Sequence, residues 1–452
     1  MSNTSIELFV RGKYQLARYE PGSAATGRRL TLHEVLEAYG EQVLPEIDEY
    51  LSAVLLRSND AIENALRTQR RQLGGTREQL ASAANVPLGV VDAAETFVDE
   101  VTIRDLEHLA FVLGLDPAQL SFQERAGADP ELGVRLRVLT RDESTPAETR
   151  LSPRTVLRFS EAASVIVAQS RLQDWLNKPR EADRFEPSSN FGPPAWSAGY
   201  DLATQAREQL GIGLSPIRSM RELVEDRLGI PVVQVELPPA IAGATISVSN
   251  RRGIVLNTVG ANTNVWIRRT TLAHELAHLL FDPEARLASV RVDSYEQMQR
   301  NTEDTTAGSQ DDVEQRANAF AVEFLAPRVA VKQMVPNLAH VGAEAIGNVM
   351  SEFGIGRAAA RFHVANAWWR QVELPSESSI RATPTDEQRA AEDFTQDFFP
   401  IVGTPAQRRG RFALLTAEAV EAGLITADTS AQYLACSEEE FEKALPYLLD
   451  LA

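Results

Sequence analysis

The chain has 452 residues and a net charge of −18. That length exceeds one ordinary core and predicts two to four domains, and the acidic balance argues against a protein built chiefly to coat nucleic acid. The lack of any run of roughly eighteen apolar residues predicts no membrane span. The single cysteine, Cys436, excludes an internal disulfide framework; with an N-terminus that does not read as a secretory signal, it predicts a cytoplasmic protein.

Residues 1–58 read as an N-terminal helical extension, with helical spacing at Leu32–Glu37 and Ile47–Leu51. His33 stands alone and reads as structural. Residues 59–123 read as a bundle of short helices: Ala61–Gln72, then Thr76–Ala84 capped by Thr76, a turn at Asn85–Pro87, Leu88–Thr96, and Thr102–Leu113 stopped by Gly114. The frame Leu73-Gly-Gly-Thr-Arg-Glu-Gln-Leu-Ala-Ser-Ala-Ala-Asn-Val86, with Leu106–Leu115 after it, resembles an Xre-type helix-turn-helix. That resemblance implies DNA as a partner of residues 59–123. The side chains oppose it. A recognition helix offers Arg, Lys, Asn or Gln to base edges, whereas this one carries Asp92 and Glu95, with Arg67, Arg70, Arg71 and Arg77 left for backbone contacts. The competing reading is protein contact or a homodimer.

Residues 124–198 read as a helical linker, whose long helix is capped by Ser152, has Pro153 at its first position and runs to about Lys178. Residues 199–372 read as a compact α+β domain. It has helices at Tyr200–Leu210 and Ser219–Leu228, a strand at Pro231–Leu237, and a hairpin of Ala244–Val248 and Ile254–Asn257 turning at Asn250–Gly253. Such a hairpin offers an edge that can pair with an extended peptide. Residues 386–452 read as a C-terminal helical domain. Three glutamates downstream of Cys436 raise its pKa and make it a poor nucleophile.

The chemistry concentrates in Thr270-Thr-Leu-Ala-His-Glu-Leu-Ala-His-Leu-Leu-Phe281. Positions i and i+4 share one helix face, so His274 and His278 can grip one metal ion, and Glu275 can serve as general base. Thr270 and Thr271 read as N-caps. Catalytic zinc takes three protein ligands, so a third His, Asp or Glu is expected on a following helix. Asp312–Pro327 is the strong candidate, with Glu314 and Asn318 one turn apart on one stripe.

His-Glu-Leu-Ala-His preceded by Arg-Arg-Thr-Thr-Leu-Ala, then Glu314-x-x-Ala-Asn-x-Phe-Ala-x-Glu-x-Leu-x-Pro, resembles the ImmA/IrrE family of zinc metallopeptidases, over about residues 200–370. The resemblance implies His274, His278 and Glu314 as metal ligands for Zn2+, with Mn2+ also compatible. It implies Glu275 as the catalytic base, and Asn318 as the group orienting a histidine. His363 matches a later helix of the family and is a second catalytic candidate, donating to an oxyanion. Glu323 reads as structural. Asp282–Asp311 is longer than the family implies, and reads either as a polar surface insertion or as a lid.

The predicted architecture is mostly α with a small mixed β-sheet: an N-terminal helix-turn-helix bundle, a central α+β zincin-like metallopeptidase domain and a helical C-terminal tail. The predicted function is an endopeptidase that cleaves a regulatory protein, a repressor or antitoxin. The alternative is a non-enzymatic transcriptional regulator or antitoxin whose zinc site is a sensor or scaffold.

Overall fold

The computed structural model describes residues 7–11, 28–41, 52–54, 59–96, 101–116, 151–186, 194–248, 251–282, 291–294, 312–368, 373–392 and 399–451. It is mostly helical with two small mixed sheets. The chain divides into two compact units. Unit 1 is Met1–Lys178, Val248–Arg251 and Phe394–Ala452; unit 2 is Pro179–Ser247 and Arg252–Asp393.

Unit 1 begins with strands that the helical reading of residues 1–58 did not anticipate. β1 (Glu7–Arg11) pairs antiparallel with β2 (Arg28–Thr31) and parallel with β3 (Ser52–Val54). A parallel pair joins segments about forty residues apart, which local periodicity does not reveal. The helix expected at Leu32 is α1 (Leu32–Tyr39), started by a Thr31–Glu34 capping box; Ile47–Leu51 lies outside the described residues. Then come α2 (Asn59–Gln72), α3 (Arg77–Ala84), α4 (Leu88–Ala94) and α5 (Ile103–Val112), in the order expected from the sequence. Thr76 caps α3 by accepting the Gln79 N–H, and Asn85 ends it in the left-handed conformation that Asn tolerates. α6 (Pro153–Trp175) starts where Ser152 accepts the Thr155 N–H. Its apolar side chains point in all directions, and a helix of that kind must be covered on all sides; Val156, Leu157, Ala162 and Val165, spread around the helix, are all buried.

Unit 2 opens with α7 (Ala195–Gln209) and a helical segment over Met220–Arg227. Next are β4 (Val232–Val235), β5 (Ile241–Val248), β6 (Arg251–Asn257), α8 (Val265–Phe281) and β7 (Arg291–Ser294). The unit closes with α9 (Asp312–Leu325), α10 (Arg328–Met334), α11 (Ala343–Phe353), α12 (Arg357–Ala367) and α13 (Asp386–Glu392). The sheet order is β4-β6-β5-β7, with β4 parallel to β6 and β7 antiparallel to β5. The hairpin strands run further than expected, and Gly253 lies inside β6 instead of in the turn. α8 also starts earlier than expected. Asn264 is its cap, accepting the Trp266 N–H, while Thr270 and Thr271 lie inside the helix. Burial of Val265 and Trp266 outweighs the weak helix propensity of the β-branched residues there. α9 packs against both α8 and α7. Its approach to α7 is close enough that a Cβ on Gly199 would stand 2.3 Å from the Arg316 carbonyl oxygen.

Unit 1 is completed by α14 (Arg411–Glu421), α15 (Ala427–Tyr433) and α16 (Glu438–Leu451). α6 packs against α3, α5 and α14, so it forms the centre of the unit. An ion network centred on the buried Arg28 and Asp428 joins β2, α1, α5 and α15. Arg28 pairs with Glu107 (2.7 Å) and Asp428 (3.2 Å), Arg104 pairs with Asp428 (2.6 Å), and Thr429 donates to Glu34.

Candidate metal centre

His274, Glu275 and His278 are buried on α8, and Glu314 faces them from α9. Partners run in opposite order along the two helices, Asp282 with Arg316 and His274 with Asn318, so the helices lie antiparallel. One ligand-type atom from each of His274, His278 and Glu314 falls within 4.8 Å of the others. The two Nε2 atoms are 3.1 Å apart, and Glu314 Oε2 stands 3.3 Å from His274 Nε2 and 3.6 Å from His278 Nε2. Ligands held at about 2.0–2.1 Å in a tetrahedron are roughly 3.3 Å apart, so this spacing fits zinc.

The surrounding hydrogen bonds fix which ring nitrogens face inward. His278 Nδ1–H donates to Asp282 Oδ2 (2.9 Å), and Arg316 donates to the other oxygen of Asp282. His274 Nδ1 is 2.9 Å from Asn318 Oδ1; with an acceptor oxygen opposite it, this nitrogen carries the proton. Both Nε2 atoms and a carboxylate oxygen therefore converge, at a spacing that suits a positive charge between them, a metal ion or a proton. The electrostatics agree. Burial lowers the His278 pKa, but hydrogen bonds to Asp282 and Glu314 and the Glu314 charge hold it up at about 9. Burial raises Glu314, yet the two histidines hold its carboxyl far below the usual carboxylate range.

Glu275 is placed by the sheet. Thr245 Oγ1–H on β5 donates to Glu275 Oε2 (2.9 Å), and a Cβ on Gly243 would meet Glu275 Oε1 at 3.0 Å. Glycine leaves room there for the carboxylate, the Val255 carbonyl and Thr271, each of which a Cβ would push back by a few tenths of an ångström. A cavity of about 320 Å³ continues along the same groove. Ile267, Thr270 and Thr271 line it from α8, one to two turns before His274, while Asn318 and Val322 line it from α9, one to two turns after Glu314.

His363 is buried elsewhere in the unit. Its Nε2–H donates to the Ala326 carbonyl (2.6 Å), its ring meets Tyr200 edge-on, and Glu323 Oε2 is 3.6 Å away. Burial lowers its pKa, keeping the ring neutral. Glu323 itself accepts from the Arg328 N–H and Nε at the start of α10.

Sequence reasoning missed Asp282, Arg316, Thr245 and Gly243. Asp282 was within reach, because it follows His278 by four residues, one helical turn. Thr245 and Gly243 reach Glu275 across about thirty residues of chain and gave no local signal. Of Asp282–Asp311, only Asp282 and Arg291–Ser294 are described, the latter as β7.

Residues 226–364 match the family model of the IrrE N-terminal-like domain, peptidase family M78. The matched segment contains His274, Glu275, His278, Glu314 and His363. The match supports the ImmA/IrrE family and a metallopeptidase type for this part of the chain, and so implies a metal. No curated protein matches the chain. Among the described residues, no helix is long and apolar enough to cross a membrane.

Proposed function

We propose that the chain is a zinc-dependent endopeptidase of the ImmA/IrrE type. His274, His278 and Glu314 hold the ion and Glu275 is the general base. The observation that carries this reading is the convergence of two Nε2 atoms and one carboxylate oxygen, with both Nδ1 atoms already engaged. When bound, the ion supplies a Lewis acid for the scissile carbonyl and lowers the pKa of water. Glu275 takes the proton of the attacking water and passes it to the leaving amine. Thr245 keeps the carboxylate aimed during both transfers. The cavity beside Thr271 and Asn318 receives a substrate side chain. His363 braces the end of α9 through the Ala326 carbonyl and takes no part in the chemistry.

The substrate we propose is a regulatory protein, a repressor or antitoxin. Helices α2–α5 act in this reading as a protein-docking element with the helix-turn-helix frame, in preference to a DNA reader. What supports that choice is the state of two of their arginines, Arg70 and Arg77. Arg70 donates to both oxygens of Glu95 (2.5 and 2.8 Å), while Arg77 donates to Glu95 (2.9 Å) and Asp92 (2.9 Å). Guanidinium groups engaged in this way are not offered to phosphates.

The test is to incubate zinc-loaded wild type and Glu275→Gln with the products of neighbouring genes and follow cleavage by gel. The variant is expected to keep one zinc per chain by atomic absorption and to lose 10²–10⁴-fold in rate, the range general-base catalysis contributes. Equal cleavage by both proteins refutes the mechanism.

A further inference from the structure

Glu275 is held by β5, and the free edge of β5 is taken by another part of the same chain. Gly243 and Thr245, the two residues against Glu275, pair in the sheet with Asp293 and Arg291 of β7. An extended backbone laid antiparallel on this edge gains ladder hydrogen bonds and passes one strand spacing, about 4.8 Å, from the residues that position the base. A peptide presented for cutting gains the same bonds in the same place. β7 already holds that position over Ile241–Thr245, with an irregularity between Ile241 and Gly243. It belongs to the stretch between the end of α8 at Phe281 and the start of α9 at Asp312, the same stretch that is longer than the family pattern implies.

We propose that β7 is an internal stand-in for substrate, an autoinhibitory strand on the docking edge that must leave β5 before an extended protein segment can pair there. This rests on the peptidase reading above. The tether gives β7 an effective concentration on the order of millimolar, so a free peptide of ordinary affinity competes poorly until the strand is released. The short ladder, four residues with one irregularity, suits a contact that has to open.

The test uses the full-length zinc-loaded chain. Successive strand residues point their amides to opposite edges, so Val292→Pro together with Asp293→Pro removes the N–H that faces β5 whichever of the two supplies it. Replacing Arg291–Ser294 by four glycines gives the same readout if the proline variant misfolds. Three quantities are read: hydrogen exchange at residues 241–245, binding of a fluorescent synthetic peptide carrying residues 288–297, and cleavage of unfolded casein. The expected result is lost protection on β5, at least tenfold tighter peptide binding than in the wild type, and at least fivefold faster casein cleavage. Unchanged exchange at 241–245 overturns the proposal. So does lost protection without tighter peptide binding. Lost protection with tighter binding but no casein cleavage upholds the strand assignment and counts instead against the peptidase reading.

Discussion

The α8–α9 groove of unit 2 and the α2–α5 helices of unit 1 both carry recognisable motifs, and both gather charged groups onto neighbouring helices. They do so in opposite senses. In the groove, groups of one kind, all able to ligate a metal, face one another: two imidazole Nε2 atoms and a carboxylate oxygen meet within 3.6 Å, and their partners Asn318 and Asp282 sit behind them. In the helices of unit 1, unlike groups face one another: Glu95 receives Arg70 and Arg77, and Asp92 receives Arg77. A cluster of like groups fits an ion that it does not itself supply. A cluster of complementary groups is already satisfied and serves packing. The comparison teaches that a motif names candidate residues, while the sign of their mutual contacts tells whether they remain available for chemistry.

The comparison breaks if the unit 1 cluster is dispensable. Glu95 is 1% exposed, and removing it leaves the Arg70 guanidinium buried without its carboxylate. Glu95→Ala is expected to cost about 3–5 kcal/mol of unit 1 stability, read as a fall in the urea midpoint of the unit 1 transition. A gain of salt-sensitive DNA binding by this variant would show that the arginines were being withheld from phosphates.

The next test bears on the groove. Asp282→Asn weakens the hold on His278 Nδ1 without touching the three converging atoms. Loss of such a partner typically costs 10–100-fold in metal affinity, to be read by competition with a zinc chelator. An unchanged affinity would mean that the second layer of hydrogen bonds does not organise the centre.

The smallest expected effect concerns pH. The unit 1 network sets two buried acids, Glu34 and Asp428, and the partly buried Glu107 against two arginines, Arg28 and Arg104. Burial pushes Glu34 and Glu107 up to about 7, more than their hydrogen bonds and ion pairs lower them. An unfolded glutamate ionises near 4.3, so between that value and about 7 the unfolded chain has released protons that the folded one keeps. Stability therefore falls as pH rises through that window. Unit 1 should melt several degrees lower at pH 8 than at pH 5.5 by calorimetry; a rise instead would mean that the ion pairs outweigh burial.

How much of this could be read from residues alone depended on distance along the chain. His274, Glu275 and His278 share one helical turn, and Glu314 lies on a helix with a clear apolar face, so four candidate residues could be named from the sequence, and the fold brings His274, His278 and Glu314 together. The match at residues 226–364 supports the family those residues resembled. Thr245 and Gly243 had no such signature, because their role exists only once β5 lies beside α8. β1 and β3 pair across about forty residues and were read as helical or not at all. The start of α8 was misplaced by six to seven residues, since Asn264 is a polar cap in front of residues with strand-like side chains. The frame of α2–α5 was visible from its caps and turn, but whether its arginines were spoken for depended on contacts between helices.

The two units also differ in how they emerge from the ribosome. Unit 2 is complete once residue 393 has been made, whereas unit 1 needs residues 399–451 as well as 28–175. Its central helix α6 is translated early, and α14, one of the helices that cover it, comes more than two hundred residues later. At a typical 5–20 residues per second, that interval lasts on the order of ten seconds or more. Throughout it, the face of α6 that α14 covers waits while residues 179–393 are made. Synthesis order thus makes unit 2 an insert in the chain of unit 1, and α14, made after that insert, is the late helix that covers α6.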